Sequence, residues 1–499
     1  MNSGWISIPR KKPRRSKLPQ KEQPMDQFSA PLAQALFEQA KADYVPFDVP
    51  GHKGRAAYLT EYFGELCVSL DKNSRKSIDY LCQPRGVILQ AEQLAAEAFG
   101  AANAFFMVGG TTASVQAMVM CACAPGEKII LPRNVHYSVI NAIILAGAVP
   151  VYINPCVHAQ IGISLGMSLA DVEACIAKNR DAKAIIVNNP TYYGVCSDLA
   201  GIVRLAHQHG MMVLVDEAHG THFYFGDGLP VSAMQCGADM AAVSMHKTGG
   251  SFTQSAILLT GHGISRDHVT NILNLTRTTS ASYLLLASLD LARRYLATCG
   301  REVLAKQLEM TAKARQSINA IGGYVAFGRD IVDGDSVFDF DCTKLSVNTL
   351  HVGLAGIEVY SLLRDRYGIQ LEFGDAANVL ALSAMGDEPS DYERLVQALA
   401  DIREKYGKQQ PMRFTYEYVS PTVVVLPRDA FYAKKKSMPL AKSEGMICGE
   451  AVMCYPPGIP LLAPGERITA EILEHILYAS EKGCTVTGLS VENEVIVLA

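Results

Sequence analysis

No window of this chain approaches eighteen uninterrupted apolar residues, so the sequence predicts no membrane-spanning helix. The N-terminus lacks an apolar signal core, which points to a protein of the cytoplasm rather than a secreted one. There is no CxxC pair among the 13 cysteines, and that count is odd, so neither a zinc ribbon nor a disulfide framework is expected. No GxxxxGK[ST] loop precedes Asp216-Glu217-Ala218-His219, which removes a nucleotide-driven helicase from consideration. His207-Gln208-His209 and His219-Gly220-Thr221-His222 resemble metal-ligand pairs but have no third ligand or HExxH pattern, so no metal is expected.

Charge is also sparse. Charged residues make up 19% of the chain and hydrophobic residues 49%, a balance that calls for a large interior. At 499 residues that interior divides into two or three units. Residues 1–24 stand apart, with Arg10, Lys11, Lys12, Arg14, Arg15, Lys17 and Lys21 against one acid, Glu22, and read as a disordered basic arm. Nothing else forms a basic face, so nucleic acid is not an expected partner. The remainder is acidic, which suits a cationic substrate.

What the chain does contain is a long alternation of helix and strand. Short apolar strands are expected at Ala104–Val108, Lys128–Leu131, Val149–Ile153, Ala184–Val187, Met212–Val215 and Ala241–Ser244. Helical stretches at Gln90–Phe99, Ser114–Ala124, Tyr137–Ala146 and Leu199–His209 lie among them. This predicts an α/β fold around a mostly parallel sheet covered on both faces, within residues 25–325. The pattern breaks near residue 325; residues 326–410 read as a smaller α+β unit and 411–499 as a further C-terminal one.

In such sheets ligands bind beyond the carboxyl ends of the strands. Gly109-Gly110-Thr111-Thr112, Asp216 and His246-Lys247 all fall there. A lysine placed directly after the apolar run Met240-Ala241-Ala242-Val243 is out of keeping with a solvated surface. It suits an amine that joins the aldehyde of pyridoxal 5′-phosphate. That cofactor needs an acid beside its ring nitrogen, which Asp216 can supply, although a lone aspartate also serves as a helix cap or ion-pair partner. Its phosphate needs a helix N-terminus, for which Gly110, Thr111 and Thr112 lead into the helix at Ser114, although the same four residues make a serviceable turn. Ser244 is a second phosphate or hydroxyl contact. His136 can stack on the ring, and Ala218 is small enough to lie beneath it.

Several stretches together resemble the ornithine/lysine/arginine decarboxylase family in its shorter form. They are Val49-Pro50-Gly51-His52-Lys53-Gly54, Pro132-Arg133-Asn134-Val135-His136, Asn189-Pro190-Thr191-Tyr192-Tyr193-Gly194-Val195 and Val215-Asp216-Glu217-Ala218-His219-Gly220. His246-Lys247, Ser282-Tyr283-Leu284-Leu285-Leu286, Pro427-Arg428-Asp429 and Tyr455-Pro456-Pro457-Gly458-Ile459-Pro460 continue the series in order.

The resemblance implies a fold type I, aspartate-aminotransferase-like cofactor domain and an assembly of at least two copies. It also implies decarboxylation of a basic L-amino acid, with arginine ahead of lysine and ornithine. By the same resemblance Lys247 carries the cofactor, Asp216 pairs with the ring nitrogen and His136 stacks on the ring. Thr111, Thr112, Ser244 and His246 surround the phosphate, Ser282 and Tyr283 reach a neighbouring subunit's site, and Glu450 meets the substrate's distal cation. An ordinary surface glutamate is the alternative for Glu450. An aminotransferase or aldolase on the same fold, and a non-catalytic regulatory homologue, are the rival readings. Two departures from the family pattern, Cys82 in place of a histidine and Tyr137 in place of a lysine, bear on the substrate pocket.

Overall fold

The computed structural model describes residues 24–412, 421–455, 458–481 and 485–499. The basic arm and Pro456-Pro457 lie outside the described residues, apart from Pro24.

Seven strands form the central sheet: β1 (Asn103–Met107), β2 (Lys128–Pro132), β3 (Val149–Ile153), β4 (Ala184–Asn188), β5 (Met212–Asp216), β6 (Met240–Val243) and β7 (Ala256–Thr260). Their spatial order is β1-β7-β6-β5-β4-β2-β3. The run from β6 to β3 is parallel, whereas β7 is antiparallel to both β6 and β1. Successive side chains on a strand face opposite ways. Val213, Val215, Ala241 and Val243 therefore enter one core, and Leu214, Met240 and Ala242 the other. With both faces covered, a strand must be apolar throughout, and this is why these segments read as continuous hydrophobic runs.

Six of the seven strands stand where the sequence pattern expects them, within one or two residues. The seventh, β7, was not anticipated. The phosphate-side helix also starts earlier than expected, at Gly110 instead of Ser114. Gly110 takes φ +69°, a conformation that favours glycine, so the chain turns sharply from β1 and enters the helix at once. Thr111 and Thr112 consequently sit in the first helical turn, not ahead of it.

A 39-residue helix, Tyr283–Ile321, spans two cores. Leu286, Leu289 and Leu296 pack in the first core of the main sheet. Ala314 and Ile318 pack with the smaller sheet formed by β8 (Val325–Phe327), β9 (Lys344–Asn348), β10 (Phe373–Gly374) and β11 (Asn378–Leu382). This sheet is antiparallel, ordered β10-β11-β9-β8. Near its start the long helix also anchors the N-terminal segment. Asp290 accepts from the backbone N–H groups of Leu32 and Ala33, which stand unpaired at the start of helix Pro31–Lys41, while Arg293 donates to the carbonyls of Gln27 and Ser29.

The C-terminal residues build their own core from Cys448, Val452, Leu462, Ile468, Ile472 and Val495. They are tied to the main sheet by a buried ion pair. Arg133, directly after β2, donates to the Glu466 carboxylate at 2.9 Å and to the Leu461 carbonyl at 3.0 Å. Both side chains are almost wholly removed from water, and burial raises the Glu466 carboxyl above its ordinary range while Arg133 pulls it back. Removing one partner of such a pair leaves an uncompensated charge. Arg133→Met is therefore expected to cost about 3–5 kcal/mol in chemical unfolding, with most of the loss recovered when Glu466→Leu is added.

Candidate functional site

The carboxyl ends of β4, β5 and β6, together with the start of helix Gly110–Ala122, open onto one cavity of about 180 Å³. Gly110, Thr111, Thr112, His136, Asp216, Ala218, Ser244, His246 and Lys247 all line it. The sequence named these nine residues from four separate stretches of chain, and the fold gathers them at one end of the sheet. Ser138, Asn188, Tyr192 and His219 complete the lining.

Each polar group is positioned locally. Asp216 is the last residue of β5 and is 7% exposed; its carboxylate accepts from the Ala218 N–H at 3.3 Å. His136 caps helix Tyr137–Ala146, with Nδ1 accepting from the Ser138 N–H at 3.1 Å. Burial lowers the proton affinity of its imidazole, Asp216 opposes that shift and Lys247 adds to it. His246 Nδ1 lies 3.1 Å from Ser244 Oγ and 3.2 Å from the Ser255 carbonyl. Its pKa is also lowered, chiefly by burial.

Lys247 sits in the short helix Met245–Thr248 that follows β6. Loss of solvent pushes its pKa down, against the opposing pull of Asp216 and Glu372. Its Nζ stands 2.9 Å from His219 Nε2 and 5.2 Å from the centre of the Tyr192 ring.

The residues present suit a phosphorylated aromatic aldehyde. Thr111 Oγ1 is buried without a hydrogen-bond partner at the first turn of a helix whose leading N–H groups have no carbonyl within the helix to meet. An anion at this point would satisfy the hydroxyl and the N–H groups together. A carboxylate and an amine then face the same space from adjacent strand ends.

Other expected residues stand away from this cavity lining. Ser282 caps the long helix by accepting from the Leu285 N–H, and the Tyr283 phenol donates to the Asp79 carbonyl at 2.7 Å. Glu450 pairs with Lys435 at 3.4 Å, its side chain largely exposed, and its charge reaches Tyr137. Cys82 is buried, with Sγ 3.7 Å from the Thr278 carbonyl. The histidine pairs considered as metal ligands are engaged by protein groups: His207 meets Asp239 at 2.8 Å and His222 meets Asp341 at 3.1 Å.

Sequence reasoning missed two charged residues of the small sheet. Lys344, at the head of β9, is fully buried and places Nζ 3.3 Å from His219 Nδ1. Glu372, just before β10, is exposed, yet its charge raises the proton affinity of Lys247, His246 and Lys344 alike. Neither carried a local signal: Lys344 opens a strand, Lys344–Asn348, in which polar and apolar residues alternate, and Glu372 lies in a short connection.

Behind the cavity Glu217 is wholly buried, accepting from the Ala233 N–H at 2.8 Å and from the Tyr224 phenol. Burial lifts its pKa from 4.5 to about 8. A carboxyl raised in the folded state contributes stability that is complete below 4.5 and lost as pH climbs through about 8. Glu217→Gln is expected to flatten the stability–pH curve across that window, as read by chemical unfolding at a series of pH values.

Comparison with known proteins places the chain. The model for the Orn/Lys/Arg decarboxylase major domain matches residues 30–347, and that for the C-terminal domain of the same family matches residues 409–494. An arginine decarboxylase of Bacillus subtilis is 44% identical over 471 residues, covering 93% of this chain and 96% of the relative. Among solved structures, the lysine decarboxylase of Francisella novicida superposes with a TM-score of 0.83 at 19% identity, covering 95% of this chain and 81% of that one. An alanine–glyoxylate aminotransferase from Nostoc shares the fold more distantly, with a TM-score of 0.51 at 15% identity over 63% of this chain and 86% of its own. With both domain models matched in order, the chain belongs to the Orn/Lys/Arg decarboxylase family.

Proposed function

We propose that this chain uses pyridoxal 5′-phosphate to decarboxylate a basic L-amino acid, arginine ahead of lysine and ornithine. One observation carries the reading: the Lys247 amine and the Asp216 carboxylate face the same small cavity from the ends of neighbouring strands. When bound, the cofactor supplies an electron sink for the pair left behind as the carboxyl group departs as CO₂. Lys247 is the amine that joins its aldehyde, and the lowered proton affinity of that side chain favours the form with a free lone pair.

Asp216 holds a proton at the ring nitrogen and stabilises the positive charge there. His136 and Ala218 line the cavity where they would flank the two faces of the ring. The Gly110–Thr112 turn, Ser244 and His246 hold the phosphate, with the orphaned Thr111 hydroxyl among its donors. Arginine preference rests on the 44% identity to the Bacillus subtilis arginine decarboxylase.

The distal cation of such a substrate needs an acid. Glu450 is one choice, held beside Lys435 and electrostatically close to Tyr137. Glu372 is the other, because its field already reaches Lys247 and His246. Tyr137, where the chain departs from the family pattern, lies within reach of the Glu450 charge.

Self-association is part of the same reading. An apolar cleft of about 1010 Å³, lined by Phe28, Phe37, Phe63, Leu66, Leu291 and Tyr295, leaves large hydrophobic side chains in water in a single copy. A second copy would cover them, and Ser282 would then approach the neighbour's site; Tyr283, expected to do the same, is instead buried within its own copy and bonded to Asp79.

Purified protein is expected to release CO₂ from carboxyl-labelled arginine faster than from lysine or ornithine, without forming a keto acid. Lys247→Ala should abolish the visible absorbance band of bound cofactor and reduce CO₂ release at least about 10³-fold. Asp216→Asn should keep the band and lower kcat by about 10²–10³. A band that survives in Lys247→Ala refutes the covalent assignment, and a keto acid product refutes the reaction. Light scattering on the size-excluded protein is expected to give at least a dimer, and Leu66→Glu with Leu291→Glu to give monomer.

A further inference from the structure

The Lys247 amine has a hydrogen-bond partner that the proposed chemistry leaves without a task. His219 Nε2 lies 2.9 Å from Lys247 Nζ, and both side chains line the same cavity. The bond forms whichever way the proton lies: an ammonium donates to the Nε2 lone pair, and a free amine accepts from an Nε2–H. Tyr192 closes the arrangement, its ring centre 4.4 Å from that of His219 and 5.2 Å from Lys247 Nζ. The company this histidine keeps sets it apart. His207 and His222 face carboxylates at 2.8 and 3.1 Å, whereas His219 meets an amine at each nitrogen, the second being Lys344 Nζ at 3.3 Å from Nδ1.

The ring is firmly held. His219 is buried and belongs to the turn that begins at Asp216. On its N-terminal side the Glu217 carboxylate accepts from the Ala233 N–H, and the Glu217 N–H donates to the Ala242 carbonyl of β6 at 3.1 Å. On its C-terminal side a Cβ at Gly220 would come within 2.7 Å of Glu217 Cγ and 2.9 Å of Pro190 Cδ, so the backbone there is closely packed. Thr221 then donates to the Ser244 carbonyl at 3.0 Å, which ties the turn to the segment carrying Lys247. From the second sheet the buried Lys344 braces Nδ1. A lysine stem is flexible by contrast: with no partner at its tip, the nitrogen wanders among many staggered rotamers.

We propose that His219 is a further catalytic residue, which holds the Lys247 amine inside the cavity whenever that amine is not joined to the cofactor. The inference rests on the reading that Lys247 is the joining amine. In that step Nζ forms a double bond to the aldehyde carbon, and the aldehyde oxygen leaves as water with two hydrogens from the amine. His219 makes and breaks no covalent bond. It keeps the nitrogen at the position from which it attacks, and to which it returns when substrate displaces it. Because one turn carries both Asp216 and His219, a single backbone segment sets the carboxylate and the amine in register.

Two measurements on the full-length protein stripped of cofactor test this. Rapid mixing with pyridoxal 5′-phosphate reads the rate at which the visible band grows. His219→Phe, which keeps an aromatic ring but has no nitrogen, is expected to slow it at least about tenfold. His219→Gln can place an amide nitrogen or oxygen near the same point and should stay within about threefold of the natural chain. Calorimetry with pyridoxine 5′-phosphate, whose hydroxymethyl group cannot join an amine, reads the noncovalent site alone. Its affinity should change by less than about twofold in His219→Phe, since the ring acts on the amine and not on the bound ligand. Band growth in His219→Phe within about twofold of the natural rate overturns the proposal. So does an equal loss for both ligands, which makes the ring a wall of the pocket and no more. His219→Gln as slow as His219→Phe overturns the assignment to a ring nitrogen. If Lys247→Ala still forms the band, the covalent reading itself fails; if it forms none while His219→Phe forms it at full speed, only the role given to His219 fails.

Discussion

Everything at this site depends on holding an amine and a carboxylate close together in a space with little water. Asp216 ends β5 and Lys247 follows β6, the next strand in the sheet, so the distance between them is set by strand spacing and not by loop flexibility. Removing water costs each charge its hydration, and the penalty is tolerable only when opposite charges and hydrogen bonds compensate. The cavity meets that condition unevenly. Asp216 has a backbone N–H, whereas Lys247 has an imidazole at 2.9 Å and the more distant charges of Asp216 and Glu372. Burial lowers the proton affinity of Lys247, while Asp216 and Glu372 pull the other way.

The same reasoning explains why the C-terminal unit is bolted on by an ion pair. Arg133 leaves the end of β2 three residues before His136, which caps its helix at the cavity wall. Its guanidinium lies 4.9 Å from the Tyr152 ring centre as it reaches Glu466. Docking of that unit and placement of the histidine thus share one short stretch of backbone. Such a buried pair is poor at adding stability but effective at specifying a single arrangement, since any slip leaves a bare charge.

Much of this was legible in the chain alone. Parallel strands buried on both faces announce themselves as apolar runs, and the polar residues that end them must lie at one edge of the sheet. That logic brought Asp216, Lys247 and the Gly110–Thr112 turn together before any coordinates. β7 escaped because a five-residue apolar run carries no period to separate a strand from a buried helical turn, and nothing in it records direction. Lys344 and Glu372 escaped for a different reason. They lie about a hundred residues or more from the cavity's other groups in the chain, and only the docking of the second sheet brings them near. His219 was visible, but with its metal reading with His222 set aside it was given no role; its neighbours are set by three-dimensional packing. The early helix start at Gly110 shows a local rule overruled, as two threonines and a glycine, poor helix formers, occupy a first turn where free N–H groups matter more than propensity.

The reversal of β7 has a bearing beyond sheet topology. Because that strand runs against its neighbours, the chain leaving Lys247 must double back at the same end of the sheet before entering β7. On the way the Gln254 carbonyl accepts from the Gly110 N–H at 2.9 Å, and the Ser255 carbonyl lies 3.2 Å from His246 Nδ1. Two adjacent peptide units therefore rivet the anion cradle to the lysine segment. The halves of the site behave as a single mechanical part: neither can drift without dragging the other along.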